Sequence, residues 1–330
     1  MRIGVAYCNA KRNRQTSPII DDQFNLLTST EFYPFHLWNG PGQYHFGAAE
    51  RAVQEAHDSR RPLHAHCLLY ALESVCPQFL VHFQGSNQEF EALVRDYLTV
   101  TLQHFRGRIS AYDLSNELFA YQGGEVDNNW LRRRFGSDQE LFDFIGRCYT
   151  YAHAADPAAL LFYSDNGQEF RSQNYAKGWA VAHQLGRWKK SGVPIHGYGL
   201  HFHTNIYRPQ EDIEEALRLA VKTGLKIHLS ELDVSLNWCD FDLSDRPGGV
   251  QNLQHSSPDL LRRQSETFER IAQAYVRRVP PAQRYGITLW DVGDGDSWLA
   301  ARRFEQATLF DEHYQPKPAF YGFMKGLAGE

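Results

Sequence analysis

Residues 111–120 read AYDLSNELFA and residues 228–235 read HLSELDVS. Each is a short apolar run that surfaces in a glutamate. Glu117 follows Asn116 in the first, and Glu231 stands two residues before Asp233 in the second. A third run, GYGLHFH at 197–203, ends in His201 and His203. A fourth, PLHAHCLLY at 62–70, carries His64 and His66 and closes on Tyr70. A fifth closes on Trp290 and runs on as DVGDGDSW to Trp298. Paired carboxylates are what cleavage of a glycosidic acetal needs: one protonated to feed the leaving oxygen, the other ionised to attack or stabilise the anomeric centre. A gap of about 5–5.5 Å between them gives retention, and roughly 6.5–9.5 Å gives inversion. Acidic residues are common at strand ends, so either glutamate alone carries little weight. The two together, with an amide, histidines and a tryptophan at neighbouring run ends, form a much rarer coincidence.

These residues sit on recurring elements. The short apolar segments are IGVAY (3–7), FNLLT (24–28), PLHAHCLLY (62–70), RISAYDLSNE (108–117), ALLFYSD (159–165), IHGYGLHFH (195–203), LKIHLSELDV (225–234) and YGITLWDV (285–292). Most are near-continuous apolar runs, as strands covered on both faces read. Amphipathic helical patterns follow all but the first, which lacks a clear one. Ser137 with Glu140 makes an N-cap, and Pro157 a stop. Pro209 and Pro258 stand where first-turn prolines belong, and Gly192 and Gly224 where helices end. Eight strands alternating with about seven helices predict one parallel (β/α)8 barrel, an α/β TIM barrel, as a single catalytic domain over residues 1–330. Chemistry in that fold sits at the C-terminal strand ends, where Glu117 and Glu231 fall.

Bulk properties narrow the partners. The chain has 330 residues, 42% of them hydrophobic, enough apolar surface for a large core. Its net charge is −5, which does not attract polyanions and argues against nucleic acid. No apolar run is long enough to span a membrane. MRIGVAYC already reads as a strand, so no signal peptide is expected in this chain, which slightly favours the cytoplasm, with secretion open if a leader was removed. Cys8, Cys67, Cys76, Cys148 and Cys239 are irregularly spaced, without a CxxC pair; one bridge stays possible. Aromatic residues make up 14% of the chain, suited both to core and to platforms for sugar faces.

Several motifs resemble those of glycoside hydrolase family 10, the mainly endo-β-1,4-xylanase family. SNEL at 115–118 resembles its acid/base motif, and SELDV at 230–234 its nucleophile motif, T-E-L-D-I. GYGLHFH resembles the strand 6 motif G-I-G-L-Q-x-H, and WDVGDGDSW at 290–298 resembles W-G-V-T-D-S-D-S-W. LFDEHYQPKPAFYG at 309–322 is similar to the last loop and helix. The resemblance implies Glu117 as general acid/base and Glu231 as nucleophile. Asn116 would bond the 2-hydroxyl of the sugar at the cleaved position. His203, held by Asp233, would orient Glu231. His66, Tyr70, His201, Trp290 and Trp298 would contact sugar, with Trp290 as its floor and Trp298 as a cap on the donor side. No cofactor and no metal is implied, and the partner is a β-linked oligo- or polysaccharide. The split of roles requires Glu117 to hold its proton while hydrogen bonds keep Glu231 ionised.

The departures gather on the donor side. The family's E-N-x-M-K-W motif is replaced by TSTEFYPFHLW from Thr28, where no Lys occurs before Leu37. Strand 3 has Tyr70 for Trp and Ala71 for a second His, strand 6 has His201 for Gln, and SDNG at 164–167 replaces N-D-Y-N. Lost hydroxyl partners change substrate choice without touching the chemistry, so xylan and xylo-oligosaccharides lead, with another β-glycoside as alternative. Two rivals are weighed. His64-x-His66 and His201-x-His203 put imidazoles on one strand face, as a metal-dependent barrel hydrolase requires, but the first strand offers Cys8-Asn9 in place of histidine. A barrel that binds carbohydrate without cutting it has no need of two glutamates in these contexts.

Overall fold

The computed structural model describes residues 1–8, 13–237, 252–300 and 304–329. The apolar segments form eight strands: β1 (Arg2–Tyr7), β2 (Leu26–Ser29), β3 (Leu63–Tyr70), β4 (Ala111–Asn116), β5 (Leu160–Asp165), β6 (Gly197–Leu200), β7 (Lys226–Ser235) and β8 (Arg284–Trp290). Each pairs in parallel with its sequence neighbour, and β8 closes on β1. The helices of eight residues or more are α1 (Thr16–Gln23), α2 (Gly47–Asp58), α3 (Asn87–His104), α4 (Asp138–Ala155), α5 (Ser172–Lys190), α6 (Gln210–Lys222), α7 (Pro258–Arg278) and α8 (Pro318–Ala328). This is the expected (β/α)8 barrel. No helix among the described residues is long and apolar enough to cross a membrane.

Local chemistry explains the element ends. Ser137 accepts from the Glu140 backbone N–H at 3.2 Å and starts α4. Ser86 and Glu89 form a full capping box at α3. Gly192 and Gly224, at φ +83° and +66°, close α5 and α6 in the left-handed conformation that glycine tolerates. Pro258 opens α7 as expected, but Pro209 is the residue before α6 rather than its first one, with φ −65° and an extended ψ of 150°.

Two expectations change. The first strand is followed by a helix after all: α1 has eight residues, and only Thr16 and Ile20 are buried, so its periodic signal is too short to read. The run at 195–203 is not one strand. β6 stops at Leu200, Phe202 takes φ +65°, and His203–Asn205 restarts as a short strand against Asp233–Ser235. Of the cysteines, Cys8, Cys67, Cys76 and Cys148 are free thiols, and Cys239 lies outside the described residues. The stretch LNWCDFDLSDRPGGVQNLQHSSPD at 236–259, which reads as a rim loop after the seventh strand, falls partly outside them too, at 238–251.

The barrel interior is packed. Leu26, Ala111, Phe162 and Tyr285 form one apolar cluster inside it, and the Phe162 and Tyr285 rings lie 4.6 Å apart. Gly197 permits this, because a Cβ there would lie 2.0 Å from the Phe162 ring. Above this layer the interior turns polar, toward the ends of β3, β4, β6 and β7.

Candidate active site

Strict alternation would send Asn116 and Glu117 to opposite faces of β4. They share the mouth because β4 shifts register against β5 between Asp113 and Ser115, and Glu117 leaves the strand at φ +49°. A left-handed residue other than glycine costs roughly 1–2 kcal/mol, and β5 holds it in place. Glu117 N donates to Ser164 O at 3.0 Å, Leu118 N to the Tyr163 hydroxyl at 3.1 Å, and Phe119 N to Asp165 Oδ2 at 3.4 Å. Lys177, from α5, pairs with Asp165 at 2.9 Å and donates to Phe119 O at 3.4 Å. Sequence reading missed Lys177, whose partners are remote in the chain.

Glu231 and Asp233, two apart on β7, both face the mouth. His203 links them: its Nε2 donates to Glu231 Oε2 at 3.1 Å and its Nδ1 to Asp233 Oδ2 at 2.8 Å. Asp233 Oδ2 also accepts from Trp298 Nε1 at 2.9 Å. Burial alone would lower the His203 pKa, but Asp233 and Glu231 outweigh it and hold the imidazolium well above the usual range. Burial pushes the Glu231 carboxyl up, and the charges and hydrogen bond of His66 and His203 only partly offset this. The expectation that hydrogen bonds keep Glu231 ionised thus meets an opposing influence, desolvation, which is the larger one.

His201 stands between the two glutamates. Its Nδ1 is 3.3 Å from Glu117 Oε1 and its Nε2 is 3.0 Å from Glu231 Oε1 and 3.1 Å from Asn116 Oδ1. Burial and the neighbouring His203 and His66 push it well below the ordinary histidine range, so it is a neutral ring. A neutral ring carries a single N–H, so one of its nitrogens donates and the other accepts. Glu231 Oε1 and Asn116 Nδ2 are buried and make no hydrogen bond within the protein.

The other expected sugar contacts also line this mouth. Tyr70 donates to Glu117 Oε2 at 2.6 Å. Trp290 is edge-on to His66 at 5.4 Å and to His203 at 6.1 Å, and Trp298 lies against His203 at 4.9 Å. His66 Nε2 is 3.7 Å from Glu231 Oε1, while its Nδ1 reaches Asp113 at 2.8 Å. Asp113, which sequence reading passed over as strand interior, also meets His64 Nε2 at 3.0 Å. Burial would raise the Asp113 pKa, but His64 and His66 reverse this and hold it well below the carboxylate range. Tyr33 was missed as well. Its ring lies 5.6 Å from His66 and 6.2 Å from Tyr70; the signal was its place in the stretch that replaces the family's donor-side motif.

The mouth thus brings together two carboxyl groups with one imidazole between them, and the second, Glu231, is 6% exposed and held by an imidazolium. The model of glycosyl hydrolase family 10 matches residues 1–326. The chain is 29% identical to endo-1,4-beta-xylanase A of Cellvibrio japonicus over 94% of this chain and 52% of that protein. It is 29% identical to an endo-1,4-beta-xylanase of Geobacillus stearothermophilus over 97% and 94%. The chain thus spans about half the length of the first curated relatives it matches, 52% and 56%. Among solved structures, a thermostable mutant xylanase from Cellvibrio japonicus superposes with a TM-score of 0.86 at 28% identity, covering 100% of this chain and 98% of that one. A mutant of P. fluorescens subsp. cellulosa xylanase A in complex with xylopentaose gives 0.85 at 28%, over 99% and 97%. With the motif residues gathered at one barrel mouth and the family model matched almost end to end, the chain belongs to glycosyl hydrolase family 10.

Proposed function

We propose that the chain is the catalytic barrel of a retaining glycoside hydrolase, an endo-1,4-β-xylanase that cleaves xylan or xylo-oligosaccharides. Glu117 protonates the leaving oxygen, and Glu231 attacks the anomeric carbon to form a glycosyl-enzyme. As that bond forms the charge on Glu231 disappears, and Glu117 then takes a proton from the incoming water. Asn116 holds the 2-hydroxyl, His203 and Asp233 orient Glu231, Trp290 lies beneath the sugar, and His66, Tyr70, His201 and Trp298 complete the walls. The carrying observation is the position of His201 between the two glutamates: its Nδ1 lies 3.3 Å from Glu117 Oε1 and its Nε2 3.0 Å from Glu231 Oε1. That placement supports Glu117 and Glu231 as the working pair.

The test is release of the aryl group from an aryl β-xylobioside by the native protein and by Glu231→Ala, with the anomer of the first product read by proton NMR. Turnover giving the β-anomer, and lost in the variant, is the expected result. Turnover giving the α-anomer would sink the retaining mechanism, and full turnover in the variant would sink the nucleophile assignment. A second reading, a related hydrolase of a different β-glycoside, is favoured by the donor side, where Tyr33 and Phe35 stack at 6.2 Å in a stretch without the family's lysine. A panel of other aryl β-glycosides separates the two.

A further inference from the structure

We propose that His201, His203 and Glu231 form a binding site for a borderline divalent cation such as Zn2+, and that the ion, once bound, switches the enzyme off. The three side chains bring one ligand atom each to within 4.8 Å of one another. His201 Nε2 lies 3.0 Å from Glu231 Oε1 and His203 Nε2 lies 3.1 Å from Glu231 Oε2, so both nitrogens face the one carboxylate. Two histidines with one glutamate is also a donor set that zinc takes with a position left open.

Two further observations point the same way. Each imidazole is backed by a carboxylate on its far nitrogen: His203 Nδ1 by Asp233 Oδ2 at 2.8 Å, and His201 Nδ1 by Glu117 Oε1 at 3.3 Å. A carboxylate behind a histidine fixes the ring and strengthens the nitrogen that meets the metal. Glu231 Oε1 is buried, yet no hydrogen bond within the protein satisfies it. His203 keeps 17% of its side chain exposed, so the cluster is reached from the barrel mouth.

The ion acts on Glu231 and on the rings that hold it. It occupies the oxygens with which Glu231 would attack. It also takes the Nε2 atoms of both histidines, so that neither ring holds Glu231 any longer: the His203 imidazolium gives its Nε2 proton to solvent, and the neutral His201 ring carries its one proton on Nδ1. Hard cations such as Mg2+ and Ca2+, which prefer oxygen cages, are excluded by the two imidazoles.

The binding half stands without any assumption about activity; the inhibitory half rests on the proposed function. Titrating the protein with ZnCl2 by calorimetry, and with CoCl2 by visible absorption, reads binding directly. The expected result is one high-affinity equivalent, a four-coordinate cobalt spectrum, and no effect of MgCl2. His201→Gln should weaken zinc binding on the order of 100-fold, and His203→Gln is the second variant should the first fold poorly. Equal zinc affinity in native protein and variant would place binding elsewhere among the 15 histidines and overturn the site, as would no binding at millimolar zinc. In the turnover assay zinc should compete with substrate and EDTA should restore the rate. Tight binding without inhibition would overturn the switch and leave the site.

Discussion

Two histidine-bearing layers of one barrel interior can be compared directly. In the lower layer His64 Nδ1 meets the Tyr285 hydroxyl at 3.1 Å, and His228 Nε2 meets Thr288 Oγ1 at 2.7 Å. Around them, Phe162 packs within 5.2 Å of His64 and 4.6 Å of Tyr285. In the upper layer His201 and His203 face three carboxylates from two strands, β4 and β7, and buried polar atoms of Glu231 and Asn116 stay without a hydrogen bond, as His228 Nδ1 does below. Buried polar atoms left open cost stability. The lower layer uses its histidines to bind the barrel together. In the upper layer the proposed substrate would supply the missing partners. Asp113 is the hinge between them, touching His64 below and His66 above.

The comparison is broken hardest at the top. Glu117→Ala should lower kcat/KM on xylo-oligosaccharides, whose leaving groups need a proton, by roughly 10³–10⁴-fold. An aryl xylobioside with an acidic phenol should lose far less in its first step, and the melting temperature should stay near the native one. Equal losses on both substrates would mean that Glu117 is not the acid. The mirror-image experiment lies below. Phe162→Ala should cost about 3–5 kcal/mol of stability, read by urea denaturation, while the activity per folded molecule stays within a few-fold of native. A large loss of activity in the folded fraction would show that the two layers are not separable.

Asp113→Asn tests the hinge and should give the smallest effect, roughly 1.5–3 kcal/mol near neutral pH, as for hydrogen bonds to a charged group. The sign follows from its folded pKa lying below the unfolded value of about 3.9. The contribution is fully present above the unfolded pKa and fades as pH falls through the folded one. The gap between native and variant, measured by denaturation at several pH values, should therefore narrow toward acid. A gap that widens in acid would contradict the histidine-held carboxylate.

Much of this was legible in the chain. Near-continuous apolar runs mark strands buried on both faces, and a capped amphipathic run such as Asp138–Ala155 marks a helix, because both patterns are local. Glu117 was legible because it follows the end of such a run, and Glu231 because a carboxylate interrupts a run that continues to Ser235. α1 was not, since it buries too few residues to leave a period. The split of β6 was not, since its break is a backbone turn at Phe202 that the apolar pattern runs straight through.

By itself, then, the sequence determined the barrel, the strand ends that bear Glu117 and Glu231, and the stretches where the donor side departs from the family. Those properties depend on spacing along the chain. Only the tertiary structure decided that His201 bridges both glutamates, that Asp113 joins the two histidine layers, and that Lys177 and β5 hold Glu117 in a left-handed turn. Each of these contacts joins residues far apart in the chain, His201 and Glu117 being 84 positions apart, and the closure of the sheet brings them within hydrogen-bonding range.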